Sequence, residues 1–191
     1  MKLRNIILMA TIASAAIALT SACGGSKKTS ALGEKVETPC NDSDYKTNSK
    51  TFRGTGIGTS QDQSTAKTKA RLDANRNLAE SINVTIKAVT DRYTNEVDVS
   101  SASDFERKFE DLTRQVVNQE MNNVAVVCQE MRLKDGKYTC YMATEVDKDA
   151  LLNNIRNTVS NDSKLRVDYD KQKFEKIFND EMRKLQEERQ F

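Results

Sequence analysis

The chain has 191 residues, with 30 basic and 28 acidic side chains and neither histidine nor tryptophan. The lack of histidine removes the commonest general base and the commonest zinc ligand, which excludes Ser-His-Asp and Cys-His catalysis. The formal charge of +2 comes from Lys2 and Arg4 in the first 22 residues; beyond them 28 basic residues face 28 acidic ones, a balance that gives no reason to expect a nucleic-acid partner.

Residues 1–22 read as a signal peptide. A basic start is followed by an apolar run from Ile6 to Leu19 and by the small residues Thr20, Ser21 and Ala22. The run is too short for a span, and no later stretch approaches the roughly 20 apolar residues a span needs. Cys23 follows directly, which is the bacterial lipoprotein arrangement, with Leu19 and Thr20 making the lipobox slightly irregular. Cys23 is therefore the expected lipidation site, carrying a diacylglyceryl group on its thiol and a further acyl chain, such as palmitate, on its amine. At about 0.8 kcal/mol per buried CH₂, two or more chains anchor a protein stably. The expectation is an exported periplasmic-side lipoprotein. Gly24, standing where Asp would retain it, favours the outer membrane by the enteric sorting convention.

Residues 23–50 are rich in Gly, Ser, Lys, Thr, Asp and Asn and hold the single proline, Pro39. They read as a flexible tether with a coil reach of roughly 30 Å. Residues 51–146 read as a folded domain. Thr51–Thr59 is a strand whose glycines at 54, 56 and 58 bare one face for a close approach. Ser60, with Gln63 three places on, is a candidate helix start. The following helix, to Ile82, carries Ala66, Ala70, Ala74 and Leu78 in one stripe suited to lie on those glycines. Val84–Val99 alternates and is β-branched, so it reads as a second strand. Ser101–Met121 is an amphipathic helix capped by Ser101 or Ser103, with Phe105, Phe109, Leu112, Val116 and Val117 inward. Val124–Leu133 and Lys137–Val146 form a hairpin around Asp135-Gly136. Residues 147–191 are a helical extension. Asp147 caps its first helix, a polar break follows at Ser160–Ser163, and Phe174, Phe178, Met182 and Leu185 line a last amphipathic helix. The order β-α-β-α-β-β-α predicts an α+β fold, with helices packed on an antiparallel or mixed sheet of about four strands.

Few residues carry chemistry. Gly54-Thr55-Gly56-Ile57-Gly58 matches neither G-x-G-x-x-G nor a P-loop, so tight strand–helix packing is its expected role. The carboxylates are plentiful, but no spacing singles out a pair. No enzyme activity, cofactor or metal is expected. Cys40, Cys128 and Cys140 are the disulfide candidates. A two-residue turn at 135–136 would set 128 opposite 143 and 140 opposite 131, with the two thiols on opposite faces. A three-residue loop would make them diagonal neighbours on one face. Cys40 could instead staple the tether to either. The Phe174 helix either packs on the sheet or presents Phe174, Phe178, Met182 and Leu185 to a partner; its mixed charges argue against a membrane-surface helix.

The run from Phe52 to Ile82 resembles the signature of the LPP-twenty lipoprotein family, small bacterial envelope lipoproteins related to flagellar assembly lipoprotein domains. The matching positions are Gly54, Gly56, Gly58, Ala66, Ala70, Asp73, Ala74, Leu78, Ala79 and Ile82, with a looser likeness over 51–146. The resemblance implies a dodecin-like α+β domain, with a helix across a curved sheet, and a structural or assembly role without catalytic residues. The long last helix and the hairpin cysteines depart from that pattern.

The expected function is a lipid-anchored envelope scaffold, with the sheet edge or the last helix binding other envelope proteins or a second copy. The competing expectation is an oligomeric module binding a small ligand in a cavity between helix and sheet or between subunits.

Overall fold

The computed structural model describes residues 36–188, apart from 42, 98 and 100. Cys23, the signal peptide and most of the expected tether lie outside the described residues. One compact unit begins at Glu37, so the end of the expected tether and the C-terminal helices share it with the 51–146 region.

The domain is α+β. Strands β1 (Thr51–Ser60), β2 (Ala125–Lys134) and β3 (Lys137–Asp147) form an antiparallel sheet in the order β1-β3-β2. Among the described residues four α-helices complete it: α1 (Gln63–Glu96), α2 (Ala102–Glu120), α3 (Lys148–Asn161) and α4 (Lys171–Glu188).

The contact between α1 and β1 organises the fold. Phe52, Gly54, Gly56 and Gly58 turn one face of β1 to α1, and Ala66, Ala70, Ala74 and Leu78 meet them. The two repeats are nearly commensurate: four helical residues rise about 6.0 Å and two strand residues about 6.6 Å. Gly58 thus sits over Ala66 and Ala70, Gly56 over Ala70 and Ala74, and Gly54 over Ala74 and Leu78. Cys140 and Met142 of β3 extend the same layer.

Residues 84–96 are helical, which corrects the expected second strand and leaves three strands where about four were expected. Ile82, Ile86, Val89 and Tyr93 continue the α1 stripe at helical spacing and are buried, whereas Val84 is 61% exposed. Val84, Ile86 and Ala88 would share a strand face, but on the helix Ile86 turns inward while Val84 and Ala88 are exposed, so packing selects the helical period and not the alternation. The Thr85 and Thr90 hydroxyls donate to the carbonyls of Ser81 and Ile86, one turn back, which satisfies two β-branched residues inside a helix. The 34-residue helix spans about 51 Å at 1.5 Å per residue. It runs on past the sheet to pack with α2 and α4.

The helix start also shifts. Asp62, not Ser60, caps α1, accepting from Thr65 N at 2.7 Å, while Ser60 Oγ accepts from Asp62 N. Asp147 caps α3 as expected, accepting from Ala150 N. Ser101 holds the N-cap position of α2 without a side-chain bond. The Asp135-Gly136 turn has φ of 49° and 71°, the left-handed pair of a type I′ hairpin.

Beyond the sheet, α1, α2, α3 and α4 enclose an aromatic cluster of Tyr93, Phe105, Phe109 and Phe174. Arg92 and Glu96 tie the end of α1 to α4, through Asp180 and Glu181 and through Lys173. Hydrogen bonds from Lys173 and then Arg92 hold the Glu96 carboxyl down at about 2, below its ordinary 4.5. A depressed acid stabilises the fold above its unfolded pKa and loses that contribution as pH falls from about 4.5 through about 2. Glu96→Gln is expected to shrink the drop in Tm between pH 5 and pH 2, read by thermal melts across that range. Identical drops in both proteins would contradict the clamp.

Candidate functional site: an open sheet edge

Both outer strands, β1 and β2, have one neighbour each, but their free edges are treated differently. On β1 every outward-facing residue has at least one backbone group capped. Asn48 accepts from Thr51 N and donates its own N–H to Thr51 O. Thr47 Oγ1 accepts from Arg53 N at 2.9 Å and reaches Arg53 O at 3.2 Å. Along α1, Asn77 donates to Thr55 O, Asp73 accepts from Ile57 N, and Lys69 donates to Thr59 O. Lys69, Asp73 and Asn77 are four residues apart, so the commensurate step that seats alanines on glycines also seats these caps along the strand edge. An edge closed in this way cannot accept another strand.

Among the described residues β2 has no such cover. Seven consecutive residues, Cys128–Lys134, pair regularly with β3, and a bulge at Val127 ends the register. No described side chain bonds the backbone of residues 129–133. Only Cys128 and Met131 of β2 are even half-buried. Val126, Val127 and Leu133 are exposed, Leu133 at 62%. Glu130 and Arg132 share the face away from α1 and pair at 2.7 Å, with the Arg132 guanidinium 5.8 Å from the Tyr141 ring centre. A long exposed edge bearing apolar side chains is a template for strand addition.

The three described cysteines resolve into one bond and one thiol. Met131 stands opposite Cys140 and Cys128 opposite Ala143, as a two-residue turn requires, so the hairpin cysteines lie on opposite faces and do not pair. Cys40 bonds Cys128, with Cα atoms 5.6 Å apart, and fastens the segment before β1 across the outer face of the sheet. Cys140 is a buried thiol against the alanine stripe, and burial pushes its pKa up. It is thereby held as an unreactive thiol. The disulfide closes a separation of 88 residues, so reduction, or Cys128→Ser, is expected to lower stability by about 2–4 kcal/mol. Urea unfolding with and without reductant measures this, and superimposable curves would contradict it.

Of the two readings of the last helix, the structure shows packing within the molecule. Phe174, Phe178 and Met182 are fully buried, and Leu185 is partly buried against the same core. Phe178 meets Phe52 edge-on at 6.2 Å. The face that sequence offered to a partner is occupied within the molecule.

A cleft of about 200 Å³ lies between the Cys40 segment and β1, lined by Pro39, Asn41, Ile57, Asp73 and Asn77. It falls below the roughly 300–1,000 Å³ of ligand pockets, and Asp73 and Asn77 are engaged in capping β1. Among the described residues no group of three or more acidic or thiol side chains is placed to hold a metal ion, and no helix is long and apolar enough to cross a membrane.

Among the described residues the fold and site define an α+β domain with one capped sheet edge and one that no described side chain covers. Comparison with protein-family models, curated proteins and solved structures finds no match for this chain.

Proposed function

We propose that this is a lipid-anchored envelope protein that acts as a scaffold, tethered through Cys23 and binding protein partners by strand addition to β2. The carrying observation is the contrast between the edges: β1 is capped at residues 51, 53, 55, 57 and 59, whereas no described side chain covers the backbone of β2 over 129–133. Membership of the LPP-twenty family, with its dodecin-like helix across a sheet, belongs to the same reading and is supported by the glycine–alanine seam. The outer membrane is the proposed location, on the lipobox and Gly24. The mechanism is positional. Acyl chains fix the membrane, the segment after Cys23 sets the reach, the Cys40–Cys128 bond fixes where that segment meets the sheet, and β2 receives the partner.

Gln129→Pro tests the reading. Gln129 is exposed, and its N–H points to the free edge, so proline removes no ladder bond. From crosslinked native membranes, the wild-type protein is expected to retain a reproducible set of envelope proteins, or its own second copy, that Gln129→Pro loses while melting normally. Unchanged capture by Gln129→Pro would overturn the role of the edge. Cys23→Ser is expected to move the protein from the membrane fraction to the soluble one.

A further inference from the structure

We propose that the occupant of the β2 edge is β2 of a second copy, paired antiparallel about a two-fold axis at Met131 to give a continuous six-stranded sheet. The inference rests on the proposed role of that edge and names its partner.

The first argument is hydrogen-bond phase. A type I′ turn makes Lys134 and Lys137 a hydrogen-bonded pair, so Arg132, Glu130 and Cys128 also bond inward to β3. The N–H and C=O of Gln129, Met131 and Leu133 then point to the free edge. The far edge of the sheet checks this phase independently. Carried across β3, it turns the odd-numbered residues of β1 outward, and 51, 53, 55, 57 and 59 are the ones found capped. Two copies of β2 can therefore exchange bonds only when odd residues meet odd residues, which restricts the register to steps of one about the axis.

The second argument is length. The regular stretch is bounded by the bulge at Val127 and the turn at Asp135, and the midpoint of Cys128–Lys134 is Met131. An axis at Met131 uses all seven residues. An axis at Glu130 or Arg132 shortens the pairing to five.

The third argument is charge. With the axis at Met131, Glu130 of each chain lies opposite Arg132 of the other. Each carboxylate then has its own Arg132 beside it, already at 2.7 Å, and a second across the axis. Shifting the axis to Glu130 sets two glutamates face to face, and shifting it to Arg132 sets two arginines face to face; like charges directly opposed are destabilising. On the other face, Leu133 comes beside Gln129 and Met131 of the second copy and loses much of its 62% exposure. Phase, length and charge select the same register.

Charge exchange tests it in the full-length protein in detergent, by sedimentation equilibrium, with circular dichroism and melting as fold controls. Glu130→Arg alone and Arg132→Glu alone each create two like-charge contacts and are expected to weaken the dimer roughly tenfold. The double exchange Glu130→Arg with Arg132→Glu restores the pairing and the wild-type dimer. An equimolar mixture of the two single variants is expected to form the heterodimer in preference to either homodimer. A dimer indifferent to all of these changes would overturn the proposal. So would a wild-type monomer at every concentration; if Gln129→Pro still lost envelope partners in that case, strand addition at β2 would stand with a different occupant.

Discussion

Gly56→Val is expected to destabilise the domain severely. A Cβ at position 56 falls on Ala74 N and Ala70 O, and those at 54 and 58 fall on the backbone at Ala74 and Leu78 and at Ala66 and Ala70. The obstacle is helical backbone, not the movable end of a side chain. Relief therefore requires lifting α1 from the sheet, which separates the other two glycines from their alanines and withdraws Lys69, Asp73 and Asn77 from the edge they cap. Overpacking usually costs about 1–3 kcal/mol where neighbours can yield; here they cannot, and the cost should exceed about 4 kcal/mol, a large part of the 5–15 kcal/mol that holds a domain together. Urea unfolding measures it. Ile57→Val, one residue away on the opposite and half-exposed face, is the control and should stay within about 0.5 kcal/mol of wild type. Equal stability of the two variants would show that the seam is not tight.

Phe174→Ala should cost about 3–5 kcal/mol. Its ring lies 5.1 Å from Phe109, 5.6 Å from Tyr169, 5.8 Å from Tyr93 and 6.3 Å from Phe178, with no exposed surface. It joins α4 to α1 and α2, so the cavity cannot close without moving a helix. The loss should be the same whether or not partners are present. A variant that melted like wild type but lost its partners would instead make α4 a docking surface.

Much of this architecture is legible in the residues because it depends on periodicity. The glycine–alanine seam, the inward face of α2, the Asp135-Gly136 hairpin and the Asp147 cap all follow from spacing and turn chemistry, while the hairpin register stays open between two turn lengths until the pairing is seen. The 84–96 segment misleads because β-branched residues at 84, 86 and 90 satisfy a strand pattern locally, while the deciding partners, Phe105, Phe109 and Phe174, are distant in sequence. The last helix is only half legible for a related reason. Amphipathic periodicity gives the existence of an apolar face and not what covers it, and the overhang of α1 that covers it carries a strand-like pattern of its own. The open edge is half legible. The Lys69-Asp73-Asn77 stripe is visible beside the alanine stripe, yet only the strand order β1-β3-β2 shows which edge those side chains close and which they leave open.

Amide hydrogen exchange of the full-length protein in its native membrane tests the central claim most directly. The N–H groups of Gln129, Met131 and Leu133 point away from β3 and should exchange rapidly in an isolated monomer. The account predicts that they are protected in the membrane and that protection is lost in detergent dilute enough to separate subunits, while β1 remains unchanged. Rapid exchange at these three amides in the membrane would mean that nothing occupies the edge, and would contradict a scaffold acting through β2.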